Sequence, residues 1–262
     1  MRVAVPPTVL YLDHDGGTVV LVDVPEVAAG LGVPVPPALQ TLLSALPDDE
    51  RALCARWAPK RQATFAAGRQ ALRLALVAAG VVDDIANVPA IGRDDRGAPV
   101  LPPGFAHLRR AVSITHKDSV AGALVVPAVA NDVDNADSIA VGCDLELDVD
   151  AIGGGRDRGA MERLARQVLL PAELQALADR DLDDDRHRRA VYQRFSLKEA
   201  LYKGLDPFVR RYVGFHEVSV TVDDDGGAVF VVPDAGFSAT GRVIPVAALP
   251  SVVLTTARVR RG

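Results

Sequence analysis

Residues 139–148 are the stretch that most limits how this chain can fold. Apolar residues alternate there with acidic ones, so in an extended chain Asp144, Glu146 and Asp148 point to one side and the apolar residues to the other. This period of two predicts a β-strand at residues 139–147, with one face in a core and one face that carries a row of carboxylates. Alternating acids are also common on edge strands, so the strand alone does not establish a site.

A long helix is predicted at residues 186–203. Strong helix formers fill its last turns, and Gly204 stands where a C-terminal cap belongs. Glu199 and Lys203 are one turn apart and share a face, whereas Lys198 is rotated by about 100° from Glu199. A Glu–Lys pair at this spacing is also an ordinary way to stabilise an exposed helix.

The other patterns predict a mixture of hairpins and helices. Paired strands are expected at residues 9–12 with 19–24, 111–115 with 120–126 and 218–222 with 229–232, and further strands at 243–246 and 252–257. Helices are expected at residues 38–45, 48–58, 60–80, 161–169 and from 171 onward, and a turn at 94–99. A segment rich in Asn, Asp and Ala places a boundary between residues 1–130 and 131–262. Both halves combine helices and hairpins, which is compatible with an internal duplication, although no residue-level repeat is visible.

Composition excludes several classes of function. The 29 basic and 34 acidic residues give a net charge of −5, which argues against a nucleic-acid binder. No apolar run reaches the length of a membrane span, and the N-terminus lacks the apolar core of a signal peptide, so we expect a cytoplasmic protein with no membrane partner. Cys54 and Cys143 lie far apart without metal-site spacing, which predicts free buried thiols.

Acidic and basic side chains together suggest chemistry on a phosphate. Asp144 and Glu146, with a third carboxylate from Glu199, are the oxygen ligands that Mg²⁺ needs, and Mn²⁺ accepts the same ligands. Five side chains are candidates to hold phosphates: Lys198, Lys203, Arg61, Arg69 and His116. Taken alone, the two arginines are ordinary solvated residues; together with the acids they suggest metal-assisted chemistry at a phosphoanhydride.

Three segments resemble, in order, the motifs of 4′-phosphopantetheinyl transferases of the large monomeric type, which activates peptide and siderophore synthetases. They are residues 115–116, 141–146 and 195–203, the last of which is similar to a motif usually written W-S-x-K-E-x-x-x-K. Residues 60–69, 96–99 and 112–116 are similar to further segments of the siderophore branch. Phe195 replaces the usual Trp, and residues 126–138 look like an insertion that loops out.

The resemblance implies an α+β fold with two similar subdomains in a pseudo-two-fold arrangement and an active cleft between them. It implies coenzyme A as substrate and a monomer whose partner is an apo acyl or peptidyl carrier protein. The phosphopantetheine arm would pass to a serine hydroxyl of that carrier, with release of adenosine 3′,5′-bisphosphate. By position, the ligands of Mg²⁺ would be Asp144, Glu146 and Glu199.

The resemblance also implies roles for single residues. Glu199, or a water on the metal, would take the serine proton, and Lys203 would protonate or neutralise the leaving phosphate. Lys198 and His116 would bind the pyrophosphate. The coenzyme A phosphates would be held by Arg61, Arg69 and Arg96. Two alternatives are a non-catalytic binder of coenzyme A or carrier protein with the same fold, and a different Mg²⁺-dependent phosphohydrolase.

Overall fold

The computed structural model of the chain describes residues 9–14, 17–27, 35–108, 111–126, 139–148, 158–232 and 236–262. The chain divides into two compact units, Met1–Ala136 and Asp137–Gly262, and each combines helices with an antiparallel sheet. The predicted α+β class with two similar subdomains is therefore confirmed. The boundary predicted at 130/131 and all but the first residue of the predicted insertion at 126–138 lie outside the described residues. None of the helices in the described ranges is both long and apolar enough to cross a membrane.

In the part of the chain that the structure describes, the first unit contains two strands, three α-helices and then four more strands. In chain order these are β1 (Val9–His14), β2 (Gly17–Asp23), α1 (Pro37–Ser44), α2 (Asp48–Cys54), α3 (Pro59–Ala78), β3 (Gly92–Arg93), β4 (Pro99–Val100), β5 (Val112–Lys117) and β6 (Val120–Val125). Four strands form an antiparallel sheet in the order β1-β2-β6-β5, and β3 and β4 form a separate hairpin. The hairpins predicted at 9–24 and 111–126 are thus confirmed.

Helix α3 packs on this sheet through small residues. Its fully buried positions include Ala63, Ala67 and Ala71, and a Cβ added to Gly68 would lie 3.0 Å from Ile114 Cγ2 of β5. Small side chains let the helix backbone come close to the strands, so little space is left between the two layers. One face of α3 is therefore committed to the core.

Within the described residues, the second unit begins with a strand and continues through three α-helices to a meander. In chain order these are β7 (Ile139–Leu147), α4 (Arg158–Val168), α5 (Pro171–Ala178), α6 (Asp184–Val209), β8 (Ser219–Val222), β9 (Gly227–Val231), β10 (Phe237–Ile244) and β11 (Val252–Arg261). The strands form an antiparallel sheet in the order β7-β11-β10-β9-β8, and α6 packs on β7 and β11. The strand predicted at residues 139–147 is confirmed with the same bounds.

Helix α6 continues past its predicted end. Gly204 lies inside the helix, which ends at Val209 and is capped by Arg210 in the left-handed conformation (φ 52°). The predicted cap at Gly204 is therefore wrong. Gly204 is a packing residue, because a Cβ on it would lie 2.9 Å from Val259 Cγ2, and a Cβ on Gly142 of β7 would overlap the Ala200 carbonyl oxygen. The two glycines let α6 and β7 meet backbone to backbone.

A buried acid fastens the long helix of the first unit. Glu50, in the first turn of α2, accepts hydrogen bonds from both terminal nitrogens of Arg73 on α3, at 2.7 and 3.0 Å. It also accepts one from the Ile91 backbone N–H at 2.6 Å. The pair is almost fully buried, with side chains 1% and 3% exposed. Paired in this way, a buried charge is tolerated; unpaired, it is costly.

The second unit repeats this device. Glu173, in the first turn of α5, accepts a hydrogen bond from Lys198 on α6 at 2.7 Å and one from the Val220 backbone N–H at 2.6 Å. The cation follows its acid by 25 residues here and by 23 residues in the first unit. Each unit thus holds a first-turn glutamate between a cation of its long helix and a backbone N–H.

Candidate active site

Asp144 is the centre of the candidate site. It lies on β7 and is 6% exposed, and its two carboxylate oxygens are held by different donors. Lys203 Nζ donates to Oδ1 at 2.8 Å, and Ser196 Oγ donates to Oδ2 at 3.0 Å. Both donors lie on α6, seven residues apart. The packing of α6 on β7 therefore determines the environment of this carboxylate.

Lys203 is the partly exposed partner of Asp144. Its side chain is 33% exposed, and its Nζ also donates to the Cys143 carbonyl oxygen at 2.9 Å. Burial by itself would lower the pKa of Lys203, but the negative charges of Asp144 and Glu199 outweigh it and raise the pKa above its ordinary value. Lys203 is thus a stable cation, and Glu199 lies one turn before it within range of its charge. The structure thus joins Asp144 to Lys203, and Glu199 precedes Lys203 by four residues on the same helix.

The acidic face of β7 is buried. Glu146 is 7% exposed and Asp148 is 3% exposed, although the sequence predicted a row of carboxylates outside the core. Asp148 accepts a hydrogen bond from Arg188 Nε on α6 at 2.9 Å, and this bond raises the pKa of Arg188. These carboxylates are buried because α6 covers this face of the strand and supplies cations that offset their charge.

The predicted metal ligands suit a hard divalent cation in kind, because all three are carboxylates and two of them are shielded from water. Within the described parts of the chain, no three or more side chains of His, Cys, Asp or Glu are gathered as a metal site. The Asp144 carboxylate contacts a cation here, namely the ammonium of Lys203. The triad of Asp144, Glu146 and Glu199 therefore stays a prediction.

Lys198 has a different environment from the one predicted. Its side chain is fully buried, and its ammonium donates to Glu173 Oε2 at 2.7 Å, to the Val168 carbonyl at 2.9 Å and to the Phe215 carbonyl at 3.0 Å. Burial lowers the pKa of Lys198, an effect that the Glu173 carboxylate opposes. Three acceptors use the three ammonium hydrogens, so the contacts do not favour the predicted role in binding pyrophosphate.

In the first unit, Arg61 is exposed near the start of α3. Its guanidinium stacks over the ring of Trp57 at 4.4 Å from the centroid, and Arg93 approaches the same ring at 5.6 Å. Stacking leaves the N–H edge of a guanidinium available to an anion. Arg93 and Trp57 were not singled out from the sequence, because neither lies within the motifs that the family resemblance supplied.

Arg69 is buried and already engaged. Its Nη2 donates to the Gly92 carbonyl at 2.8 Å and its guanidinium lies over the ring of Phe65 at 5.0 Å. Burial lowers the pKa of Arg69 to about 10, against the attraction of Glu50, so it remains charged at neutral pH. Contact with the β3–β4 hairpin gives Arg69 a supporting role, and the predicted direct contact with a phosphate stays a prediction.

The remaining predicted residues lie on the surface of the first unit. Arg96 is exposed in the turn between β3 and β4, where its backbone N–H and that of Ala98 donate to Asp94 Oδ1. Gly97 has φ +90° there, which confirms the predicted turn. His116 is exposed near the end of β5. These positions make both side chains accessible to solvent.

Phe195, which stands where the family motif usually has Trp, is an aromatic packing residue of the second unit. Its ring lies 5.6 Å from that of Phe215, and it packs against the cluster formed by α4, α5 and α6. Tyr202, two turns later on α6, also contacts Phe215, with its ring 5.4 Å from that of Phe215. The aromatic contacts hold α6 on both sides of Glu199.

Comparison with known proteins agrees with this architecture. Residues 140–246 match the model of the 4′-phosphopantetheinyl transferase superfamily, and residues 49–126 match the model of the 4′-phosphopantetheinyl transferase N-terminal domain. The first match contains Asp144, Glu199 and Lys203, and the second contains Arg61 and His116.

Two individual proteins are also similar. The 4′-phosphopantetheinyl transferase Npt of Nocardia iowensis is 32% identical over 188 residues, which is 71% of this chain and 70% of that protein. The crystal structure of a holo-(acyl-carrier-protein) synthase from Bacillus anthracis in complex with CoA (3′,5′-ADP) aligns with a TM-score of 0.37 and 16% identity, over 47% of this chain and 96% of that one. On the family models and the Nocardia relative, the chain belongs to the 4′-phosphopantetheinyl transferases of the large type and is an enzyme of that family.

Proposed function

We propose that this protein transfers 4′-phosphopantetheine from coenzyme A to a serine hydroxyl of an apo acyl or peptidyl carrier protein, with Mg²⁺ as the metal. The observation that carries the proposal is the ion pair of Lys203 with Asp144, one helical turn from Glu199. It combines a permanent cation, a buried carboxylate and a candidate base, in the family segment that the chain shares with known transferases.

The reaction needs one bond to form and one to break. The serine oxygen attacks the phosphorus that bears the pantetheine, the bond from that phosphorus to the bridging oxygen breaks, and adenosine 3′,5′-bisphosphate leaves with the bridging oxygen. Glu199 takes the serine proton, since a hydroxyl is a weak nucleophile. Lys203 offsets the negative charge that builds on the leaving oxygen.

Mg²⁺, when bound, would neutralise charge on the pyrophosphate. Asp144, Glu146 and Glu199 would hold it, because their oxygens are the ligands it prefers. Ser196 and Lys203 would keep the Asp144 carboxylate in place from the helix side.

The phosphates of coenzyme A would be bound by exposed cations of the first unit. Arg61, Arg96 and His116 are accessible there, and the stacking of Arg61 on Trp57 limits the freedom its side chain would lose on binding. Arg69 would support this site indirectly, because its hydrogen bond to the Gly92 carbonyl holds the β3–β4 hairpin. Lys198 would stabilise α6 rather than touch the ligand.

Mass spectrometry of the carrier protein tests the proposal. The enzyme is incubated with coenzyme A, Mg²⁺ and a panel of apo acyl and peptidyl carrier proteins, and we expect at least one carrier to gain the mass of one phosphopantetheine. Glu199→Gln, which keeps the shape of the side chain but removes the base, should slow transfer by about 10²–10⁴-fold. Glu162→Gln is the matched control, because Glu162 is an exposed helical acid paired with Arg166.

Two outcomes would count against the proposal. Tight binding of coenzyme A without mass gain on any carrier would favour a non-catalytic binder. Transfer by Glu199→Gln at the rate of Glu162→Gln would remove Glu199 from the role of base.

A further inference from the structure

Behind Asp144 lies a pair of buried hydroxyl groups. Thr255 on β11 is the cross-strand partner of Asp144 in the antiparallel ladder of β7 and β11, so both side chains lie on the same face of the sheet. Ser196 of α6 sits against them, with its Oγ 3.0 Å from Asp144 Oδ2 and 2.8 Å from Thr255 Oγ1. Both hydroxyl residues are fully buried.

The direction of these hydrogen bonds follows from chemistry. An ionised carboxylate only accepts, so the Ser196 hydroxyl must donate to Asp144. The Ser196 hydrogen is then used, and the Thr255 hydroxyl must donate to Ser196 Oγ. The result is a directed chain from Thr255 through Ser196 to Asp144 Oδ2. Lys203 occupies the other oxygen at 2.8 Å.

This chain restricts the carboxylate more than a single contact would. One donor leaves a carboxylate able to turn about its bond to Cβ, whereas donors on both oxygens define its plane. The two donors come from one helix, and Ser196 is in turn held by the neighbouring strand through Thr255. The Asp144 carboxylate is therefore oriented by elements on both sides of it.

We propose that Ser196 and Thr255 are positioning residues for the reaction, which act by orienting the Asp144 carboxylate toward a divalent cation. The inference rests on the proposed function, in which Asp144 is a metal ligand. Groups that hydrogen-bond to a metal-binding carboxylate fix its orientation, and removal of such a group typically weakens metal binding by about 10–100-fold. Thr255 lies outside every motif that pointed to the activity, and only its distance to Ser196 reveals it.

Metal binding measured without turnover tests the inference. Mn²⁺ is titrated into the full-length enzyme with saturating coenzyme A and no carrier protein, and free Mn²⁺ is followed by electron paramagnetic resonance. Thr255→Val removes the hydroxyl and keeps the branched shape, and Ser196→Ala removes the second hydroxyl; each should weaken Mn²⁺ binding by about 10-fold. Thr255→Ser keeps the hydroxyl and should restore binding.

The control is Thr256→Val, the same change one residue along the strand. Thr256 pairs with Cys143 and therefore lies on the opposite face of the sheet from Asp144. It should bind Mn²⁺ like the wild type. Coenzyme A affinity without metal should be unchanged in Thr255→Val, because neither hydroxyl touches the ligand in this proposal.

The outcomes separate this inference from the function on which it rests. Wild-type Mn²⁺ affinity in both Thr255→Val and Ser196→Ala, with binding lost in Asp144→Asn, would overturn the positioning role and leave the metal role of Asp144 standing. Wild-type affinity in Asp144→Asn would overturn the metal role itself. If Thr255→Val does not fold, Ser196→Ala decides alone, because it removes a single oxygen atom.

Discussion

Lys203 and Asp144 join helix α6 to strand β7 through a 2.8 Å ion pair beside the proposed catalytic base. Lys203 is one-third exposed, so its ammonium is accessible from solvent, and the proposed function assigns it to the leaving phosphate. We expect Lys203→Ala to reduce kcat by about 10²–10³-fold, the usual loss when one charge-stabilising donor is removed. Arg166→Ala, which removes an exposed cation from α4, should leave kcat unchanged. Equal rates in the two variants would show that Lys203 is dispensable.

The buried pair of Lys198 and Glu173 should matter for stability. Lys198→Met leaves Glu173 charged and buried without its partner, so the free energy of unfolding should fall by about 3–5 kcal/mol. Urea unfolding followed by circular dichroism measures the change. A second substitution, Glu173→Gln, should recover part of it. If Lys198→Met were as stable as the wild type but bound coenzyme A more weakly, the result would support the predicted role of Lys198 in binding pyrophosphate.

The sequence was informative where the signal was local. The alternation at residues 139–147 predicted β7 with the correct bounds, and the family motif located Asp144 and Lys203, which the structure joins. The sequence was misleading where a residue's contact partner lies far away along the chain. Lys198 looked like a phosphate ligand because its acid lies 25 residues away, across a helix boundary. Gly204 looked like a cap because nothing in the neighbouring residues shows that β7 crosses the helix there.

The equivalent pair in the first unit gives an independent prediction. Arg73→Met should destabilise the first unit by about 3–5 kcal/mol, because Glu50 would be left buried and unpaired. Arg73→Lys keeps the charge but cannot make both contacts to the carboxylate, so its loss should be smaller. Trp57, the single tryptophan of the chain, lies in this unit, and its fluorescence during urea unfolding reports the change. Arg73→Met with wild-type stability would contradict the anchoring role.

The contact between β7 and α6 should not tolerate even a methyl group. In Gly142→Ala the new Cβ would overlap the Ala200 carbonyl oxygen, so strand and helix must separate, and we expect a loss of about 3 kcal/mol or more. Gly104→Ala is the control, because a Cβ there meets nothing within 4 Å. Thermal unfolding of the two variants measures the difference. Similar melting temperatures would mean that the crossing is looser than described.

The two cysteines should be unreactive in the native protein. Cys54 and Cys143 are fully buried thiols outside any disulfide, and burial raises the pKa of Cys54, which lowers its thiolate fraction at any given pH. Native enzyme at pH 8 should therefore react slowly with a thiol reagent such as 5,5′-dithiobis(2-nitrobenzoic acid). In denaturant both thiols should titrate at once. Rapid labelling of the native protein would show that one of the two sites opens readily.

The glycine crossing also has a bearing on how this enzyme can change. Asp144 follows Gly142 by two residues and Lys203 directly precedes Gly204. The ion pair therefore lies next to the point where the two backbones meet. The distance between Asp144 and Lys203 thus depends on the absence of a side chain at Gly142 and at Gly204. A side chain at either glycine would push strand and helix apart and so separate Asp144 from Lys203, and a loss of activity in such a variant would follow from the displaced ion pair.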